Sequence, residues 1–340
     1  MRVITLGPGD GARWDAFVGP RSSAVTDLSA WRRVMSDSDG LRAHFLVVEE
    51  DGALAGALGL YEADHAVFGR YLATAAHGND GGFFHASEAA RDALLDAASA
   101  LMDERGAAYL LIRGREALPG FVADRRYSAA VLDLAGGSAA VWDRALGAKT
   151  RNQVRRGQKE GFTVSTGPGE MRAFYEVFHE RMRDLGSPAH GLRFYESVLA
   201  NLGDRAEFFV VREGADLVGG ALVFFQNGVA SDYHAVALRR YDTRCPNYLL
   251  HWSMIEAACA RGCASFDMGR SLDGGPNLAF KLNWGARPMP LVYNYRLRAG
   301  AALPSMDPRD LKYRVPIAVW KRLPVALTKA AGPLLMPGIL

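Results

Sequence analysis

The sequence predicts an α/β protein built of two similar lobes, each a mixed sheet flanked by helices. Three observations carry that reading. The chain has 340 residues, too many for one small core and a fit for two domains of ordinary size. A strand-turn-strand pattern occurs twice. A helix-glycine-strand pattern then follows it twice, in the same order, and two ordered matches are better explained by duplication than by coincidence.

Taken in order, Phe45 to Leu58 (FLVVEEDGALAGAL) aligns without gaps on Phe208 to Ala221 (FFVVREGADLVGGA). Each reads as a β-rich run, a polar turn and a second apolar run opened by Gly56 or Gly219. Leu94, Leu95, Ala98, Leu101 and Met102 have helical spacing, Gly106 stops that helix, and Ala108 to Ile112 forms the next strand. Tyr248, Trp252, Ile255 and Cys259 repeat the scheme on one helix face. There Asn247 is the expected N-cap, Gly262 the stop and Ser265 to Met268 the strand. The second half adds a strand at Gly228 to Val236. Hairpin, strand, helix, strand is the order of the acetyltransferase-like (GNAT) α/β fold. The expected organisation is two tandem lobes, at residues 1–140 and 161–298. A basic helix at 141–160 joins them, and a tail at 299–340 packs on the body or rests on a membrane surface.

Composition narrows the function. Hydrophobic residues at 49% and charged residues at 23% are globular values that exclude extensive disorder. A formal net charge of +3 does not by itself argue for nucleic acid. The cysteines, Cys245, Cys259 and Cys263, form no disulfide framework and suit a reducing compartment. Cys259 and Cys263 lack a completing histidine spacing, so a buried helix face is expected there rather than a zinc site, and no metal is expected. The start has no signal-peptide run and no stretch reaches eighteen apolar residues, so the reading is cytoplasmic. HExxH, GxSxG and Walker motifs are missing, as is a GxGxxG after a strand.

Chemistry-bearing residues concentrate in Phe266 to Gly285 (FDMGRSLDGGPNLAFKLNWG). A strand ending at Met268 would release Arg270 and Ser271 into a glycine-rich loop, where open α/β sheets bind ligands. Lys281, just before Trp284, could bind an anion or steady a developing oxyanion. A salt-bridged turn with an ordinary surface lysine is the alternative.

The FDMGRS, FK and WGA pieces, with PLVYNY downstream, resemble the Fem-like proteins, relatives of peptidoglycan bridge-forming aminoacyltransferases. The nearest branch is the one associated with bacterial exopolysaccharide and protein-sorting systems. The resemblance extends to Trp31, Phe68-Gly-Arg70, Asn79-Asp-Gly-Gly82, the basic run Arg151 to Gly157 and the helix start Pro246 to Trp252. It implies two acetyltransferase-like lobes and acyl transfer to an amino group, with aminoacyl-tRNA or an acyl thioester of coenzyme A or a carrier protein as donor. No tightly bound cofactor follows from it. The lysine of the FK pair, here Lys281, would lie near the transfer site, and Asn79 and Asn247 join the candidate substrate contacts with Arg270, Ser271 and Trp284. One departure concerns the donor. No Arg/Gln-x-x-Gly-x-Gly/Ala pyrophosphate loop precedes the second helix, and Arg239 to Pro246 (RRYDTRCP) stands there instead.

Acyl transfer needs a polarised carbonyl and an amine that loses a proton. In Ser231-Asp-Tyr-His234, simple alternation puts Asp232 and His234 on one face and Tyr233 on the other. His234 is the candidate base and Tyr233 a rival donor, beside the reading of His234 as a core histidine. Arg151, Arg155 and Lys159 recur at helical spacing, as a stripe for phosphate or as a solvated face. The tail from Val315 to Leu340 is apolar with spaced cations, and Pro324, Pro333 and Pro337 preclude one long helix. Three functions remain in play. They are a Fem-like transferase acting on an amine-bearing, cell-envelope or lipid-linked acceptor, an acyl-CoA or acyl-carrier-protein N-acyltransferase, and a binding module that lost catalysis.

Overall fold

The computed structural model describes residues 1–304 and 311–340. The first half contains β1 (Arg2–Leu6), α1 (Gly11–Val18), α2 (Ser29–Asp39), β2 (Arg42–Glu50), β3 (Ala53–His65), β4 (Gly69–Thr74), β5 (Phe83–His85), α3 (Glu88–Glu104), β6 (Tyr109–Gly114) and β7 (Val122–Asp133). Then come α4 (Gly137–Ala140), α5 (Ala148–Lys159), β8 (Thr163–Thr166), α6 (Met171–Leu185), α7 (Leu192–Leu202), β9 (Ala206–Glu213), β10 (Asp216–Gln226) and β11 (Val229–Ala237). The remainder is α8 (Pro246–Ala260), β12 (Ser265–Leu272), α9 (Pro276–Leu282), β13 (Arg287–Leu297), α10 (Leu311–Trp320) and α11 (Val325–Leu335).

The chain divides into two compact units. One comprises Met1–Arg126, Pro290–Met306 and Pro333–Leu340; the other comprises Tyr127–Met289 and Asp307–Gly332. This corrects the contiguous lobes expected at 1–140 and 161–298. From Tyr127 onward β7 pairs with β12 and completes the second unit, whereas β13 pairs with β6 and completes the first. Ladder partners, not chain order, decide which core a strand closes. The basic segment is no linker either: α5 is part of the second unit and packs on α8.

The first unit orders its strands β1-β2-β3-β4-β6-β13, with β5 beside β3. All pairs are antiparallel except β4 with β6. Alternation along the hairpin sends Leu46, Val48, Leu58 and Leu60 against Ala90, Leu94, Leu95 and Ala98 of α3. Phe45, on the other face, meets Trp14 of α1 with ring centroids 4.0 Å apart.

The second unit orders its strands β7-β12-β11-β10-β9-β8, antiparallel except for β11 with β12. Phe208 faces α6 and α7, where it packs on Phe174 and Tyr195. Its neighbour Phe209 faces the opposite way, into the core formed with Leu250, Met254 and Ile255 of α8. Each of those three α8 side chains is fully buried, contributing ~1.5–3 kcal/mol apiece. α8 is apolar on nearly every side because α5 covers its outer flank. Gly157 makes that possible: a Cβ there would fall 2.8 Å from the Cys245 carbonyl oxygen. Cys259 and Cys263 pack half-buried against the same core, but only Cys259 lies on α8, which ends at Ala260, so the expected helix face does not include Cys263.

The repeat read from the sequence is present in detail. Phe45 pairs with Gly59 and Phe208 with Leu222. Each hairpin then slips by one residue at the equivalent place, between Val48 and Glu49 and between Leu217 and Gly219. Gly106 and Gly262 stop their helices at φ 61° and 71°, a conformation glycine adopts without steric cost. In the tail, α10 and α11 break at Pro324, but Pro333 lies inside α11 and does not end it. No described helix is long and apolar enough to cross a membrane.

Candidate functional site

The parallel pair β11 and β12 runs from Val229↔Ser265 to Ser231↔Asp267 and then parts. Both strands are irregular at that point. Leu222 of β10 faces His234 while Val223 faces Asp232, so Tyr233 is an extra, bulged residue of β11. On β12 the register with β7 shifts between Asp267 and Arg270, where Gly269 has φ 77°. Asp232, Asp267 and the carbonyls of Gly269 and Arg270 gather around Lys281 at this point.

Lys281 closes one side. Pro276 at the first position of α9 pre-sets a helical turn, which brings Lys281 Nζ to donate to Gly269 O (2.9 Å) and Arg270 O (3.1 Å). An ammonium has three donors, so one remains for a ligand oxygen. Burial pulls this lysine below the ordinary lysine range; Asp232 and Asp267 oppose the shift, and Arg270 adds to it.

His251 of α8 closes another side. Its Nδ1 lies 2.8 Å from Asn247 O, an acceptor, so Nδ1 carries the hydrogen, and Nε2 faces Asp232 Oδ2 at 3.5 Å. An aromatic wall backs it. His251 stacks on Trp284 (centroids 5.7 Å) and meets Phe280 edge-on (5.3 Å), and Tyr248 lies 5.8 Å from Trp284. Trp284 is fully buried, yet its Nε1 has no hydrogen-bond partner, and the buried Ser271 Oγ has none. Buried donors left unsatisfied by protein mark a place where a ligand or water would bond.

Of the residues singled out from sequence, Lys281 and Trp284 come together here, with the unforeseen His251. Arg270 and Ser271 are not in a loop: β12 continues to Leu272, because the glycine bulge absorbs the irregularity without ending the strand. Arg270 is exposed, its guanidinium 5.0 Å from the Tyr127 ring centroid. Tyr233 and His234 are corrected. The bulge cancels the alternation, so Asp232 turns to α8 while His234 stacks on Phe178 (4.4 Å) and Tyr233 stacks on Phe194 (6.3 Å) and meets Phe224 at a tilt (4.7 Å). Those two rings belong to the α6 and α7 core, and Asp232 with His251 stands where Asp232 with His234 was expected. Asn247 is not the N-cap either. Proline suits the first helical position, so Cys245 occupies the N-cap position without a side-chain capping bond, and Asn247 lies inside, orienting His251 through its carbonyl. Asn79 belongs to the first unit, where its carbonyl accepts from the Tyr293 hydroxyl (2.9 Å). Arg151 is spent on structure, donating to Trp142 O (3.1 Å) and Leu146 O (2.5 Å). Arg155 is exposed over Trp142, and Lys149, Arg156 and Lys159 are exposed on the same helix.

Arg239 to Pro246, where a pyrophosphate seat would lie, holds no glycine. Cys245 has φ 62° and a side chain where a glycine loop would be, and Pro246 has no N–H. Arg244 is clamped to Glu160 (2.5 Å) and Glu213 (2.6 and 2.8 Å), so two carboxylates flank the seat.

Comparison with known proteins bears on the fold. Residues 147–282 match the family described as an acetyltransferase (GNAT) domain. The structure of FemX is similar over 86% of this chain and 97% of its own, with a TM-score of 0.67 at 14% identity. A tandem GNAT protein from the clavulanic acid biosynthesis pathway covers 89% of this chain and 99% of its own (TM-score 0.58, 16% identity). The C-terminal domain of a putative lysylphosphatidylglycerol synthetase from Agrobacterium fabrum covers 86% and 93% (TM-score 0.57, 15% identity). At these identities the likeness is one of fold. No curated protein matches the sequence. Residues 147–282, within the second unit, are thus similar to a GNAT-type acetyltransferase domain, and the chain has the tandem α/β fold of these neighbours.

Proposed function

We propose that the protein is a Fem-like N-acyltransferase, moving an aminoacyl or acyl group from an activated ester or thioester to an amine. The observation that carries the reading is the parted β11–β12 pair, with Lys281, Asp232 and His251 gathered at the opening. In the reaction the amine nitrogen forms a C–N bond to the carbonyl carbon and the C–O or C–S bond breaks. The remaining N–H of Lys281 stabilises the oxyanion, a role worth ~10²–10³ in rate for a single donor. Asp232 attracts the acceptor ammonium and, with His251, takes the proton the amine must shed. A second proton passes from nitrogen to the leaving oxygen or sulfur.

The clamped start of α8 supports a donor other than coenzyme A in its usual seat, and favours aminoacyl-tRNA over an acyl thioester. The exposed cations of α5 suit such a polyanion. The acceptor proposed is an amino group of a cell-envelope or polysaccharide-related precursor, the class to which the sequence resemblance points. The test is to offer purified protein charged tRNA, acyl-CoA and acyl-carrier donors with a panel of amines, and detect amide by mass spectrometry. Transfer from charged tRNA, abolished in Asp232→Asn, is expected. Transfer from acyl-CoA alone would overturn the donor assignment, and transfer untouched by Asp232→Asn would overturn the site.

A further inference from the structure

We infer that the α10–α11 segment of the second unit docks on an anionic bilayer surface, an inference independent of the reaction proposed above. From Tyr313 to Leu340 the chain has no aspartate or glutamate, but it carries Arg314, Lys321, Arg322 and Lys329. Lys329 is engaged by Glu176 and lies over Tyr175. The other three are exposed.

One side of α10 is turned inward. Ile317 and the stem of Lys321 crowd Gly186, where an added Cβ would come within 2.6 Å of Ile317 Cγ2, and Arg183 holds Leu323 O at 3.1 Å. Among the described residues the other side is uncovered. Val315 and Val319, one turn apart on the same face, are 70% and 53% exposed, and Leu327 on α11 is 54% exposed. Arg322 lies in the turn just beyond α10, exposed, with one guanidinium N–H on Ala318 O (2.9 Å). Three bare aliphatic side chains among cations, with no acid between them, match the two layers of an anionic interface: acyl boundary for the valines and leucine, headgroups for Arg314, Lys321 and Arg322. A protein partner is a poorer fit, since protein interfaces are anchored mainly by aromatic residues, and the uncovered positions here are aliphatic.

The test is co-sedimentation of the full chain with phosphatidylcholine vesicles, with and without phosphatidylglycerol, at low and high salt. Binding is expected only with phosphatidylglycerol, and it should weaken as salt rises. Neutralising Arg314 and Arg322 together (Arg314→Gln, Arg322→Gln) should weaken it ~25-fold, at about five-fold per cation. Val315→Asp with Val319→Asp should remove it even at low salt. Because these positions are exposed, the melting temperature should hold in every variant, which separates lost docking from lost folding. Equal binding to neutral vesicles, or none to either, overturns the inference. So does a concentration-dependent dimer that Val319→Asp dissolves, which would assign the face to a second copy.

Discussion

The two units open the same pair of parallel strands and fill the opening differently. In the first unit β4 and β6 pair only at Leu72↔Leu110 and Ala73↔Leu111. Arg113 then fills the gap. It is 4% exposed; its amide donates to Thr74 Oγ1 (2.9 Å), and its guanidinium donates to Thr74 O, Ala75 O and Leu340 O. Tyr71 OH donates to Gly338 O (3.0 Å) and accepts from Leu340 N (2.9 Å), so residues 338–340 complete the seal. In the second unit the seventh residue after the stop glycine is Gly269, where the first unit has Arg113. With no side chain there, the opening persists, and the Gly269 carbonyl holds Lys281 instead of a plugging arginine. The contrast is physical: Arg113 is buried with carbonyl partners in the first unit, whereas polar groups gather beside Gly269 in the second.

The largest expected effect tests the open side. Lys281→Ala should lower kcat ~10²–10³-fold, or ~2.7–4 kcal/mol, with little change in KM. A rise in KM at constant kcat would make Lys281 a ground-state binder, and no change in either would erase the contrast between the units.

Next comes the closed side. Arg113→Ala strips buried carbonyls of a charged donor, so chemical denaturation should show a loss of ~3 kcal/mol, while kcat holds below the unfolding transition. A large fall in kcat at preserved stability would mean that the first opening also serves chemistry.

The smallest effect concerns Asp27, also in the first unit. Burial raises its carboxyl to about 7, helped by Asp80 and opposed by the Ser22 and Gly82 hydrogen bonds. The folded state therefore binds a proton more tightly than the unfolded chain. The neutral form's contribution is complete below the unfolded value and is lost as pH rises through about 7. Between pH 5 and 7 wild type should lose about 2 kcal/mol relative to Asp27→Asn, read from paired denaturation curves. A parallel pair of curves would show that Asp27 is ionised throughout.

Much of this was legible from residue order. The alternation in FLVVEED and FFVVREG, the turn residues Asp51-Gly52 and Gly214, and the stops at Gly106 and Gly262 are local signals, because they set φ and ψ and the face each side chain takes. Lys281 and Trp284 were visible for the same reason, three residues apart on one short stretch. His251 left a fainter trace, one histidine on an otherwise apolar helix, and nothing local connects it to Asp232.

By itself, then, the sequence determined two α/β repeats with their matching hairpins, and it singled out Lys281. Only the tertiary structure decided that β7 and β13 exchange units, since a strand's partner is chosen by the ladders available and not by its neighbours in the chain. Only the pairing with β10 placed a bulge at Tyr233, which turned His234 into a core and left Asp232 to His251. Period-two alternation holds while a ladder is regular; one extra residue reverses every side chain beyond it, and that residue is set by the partner strand.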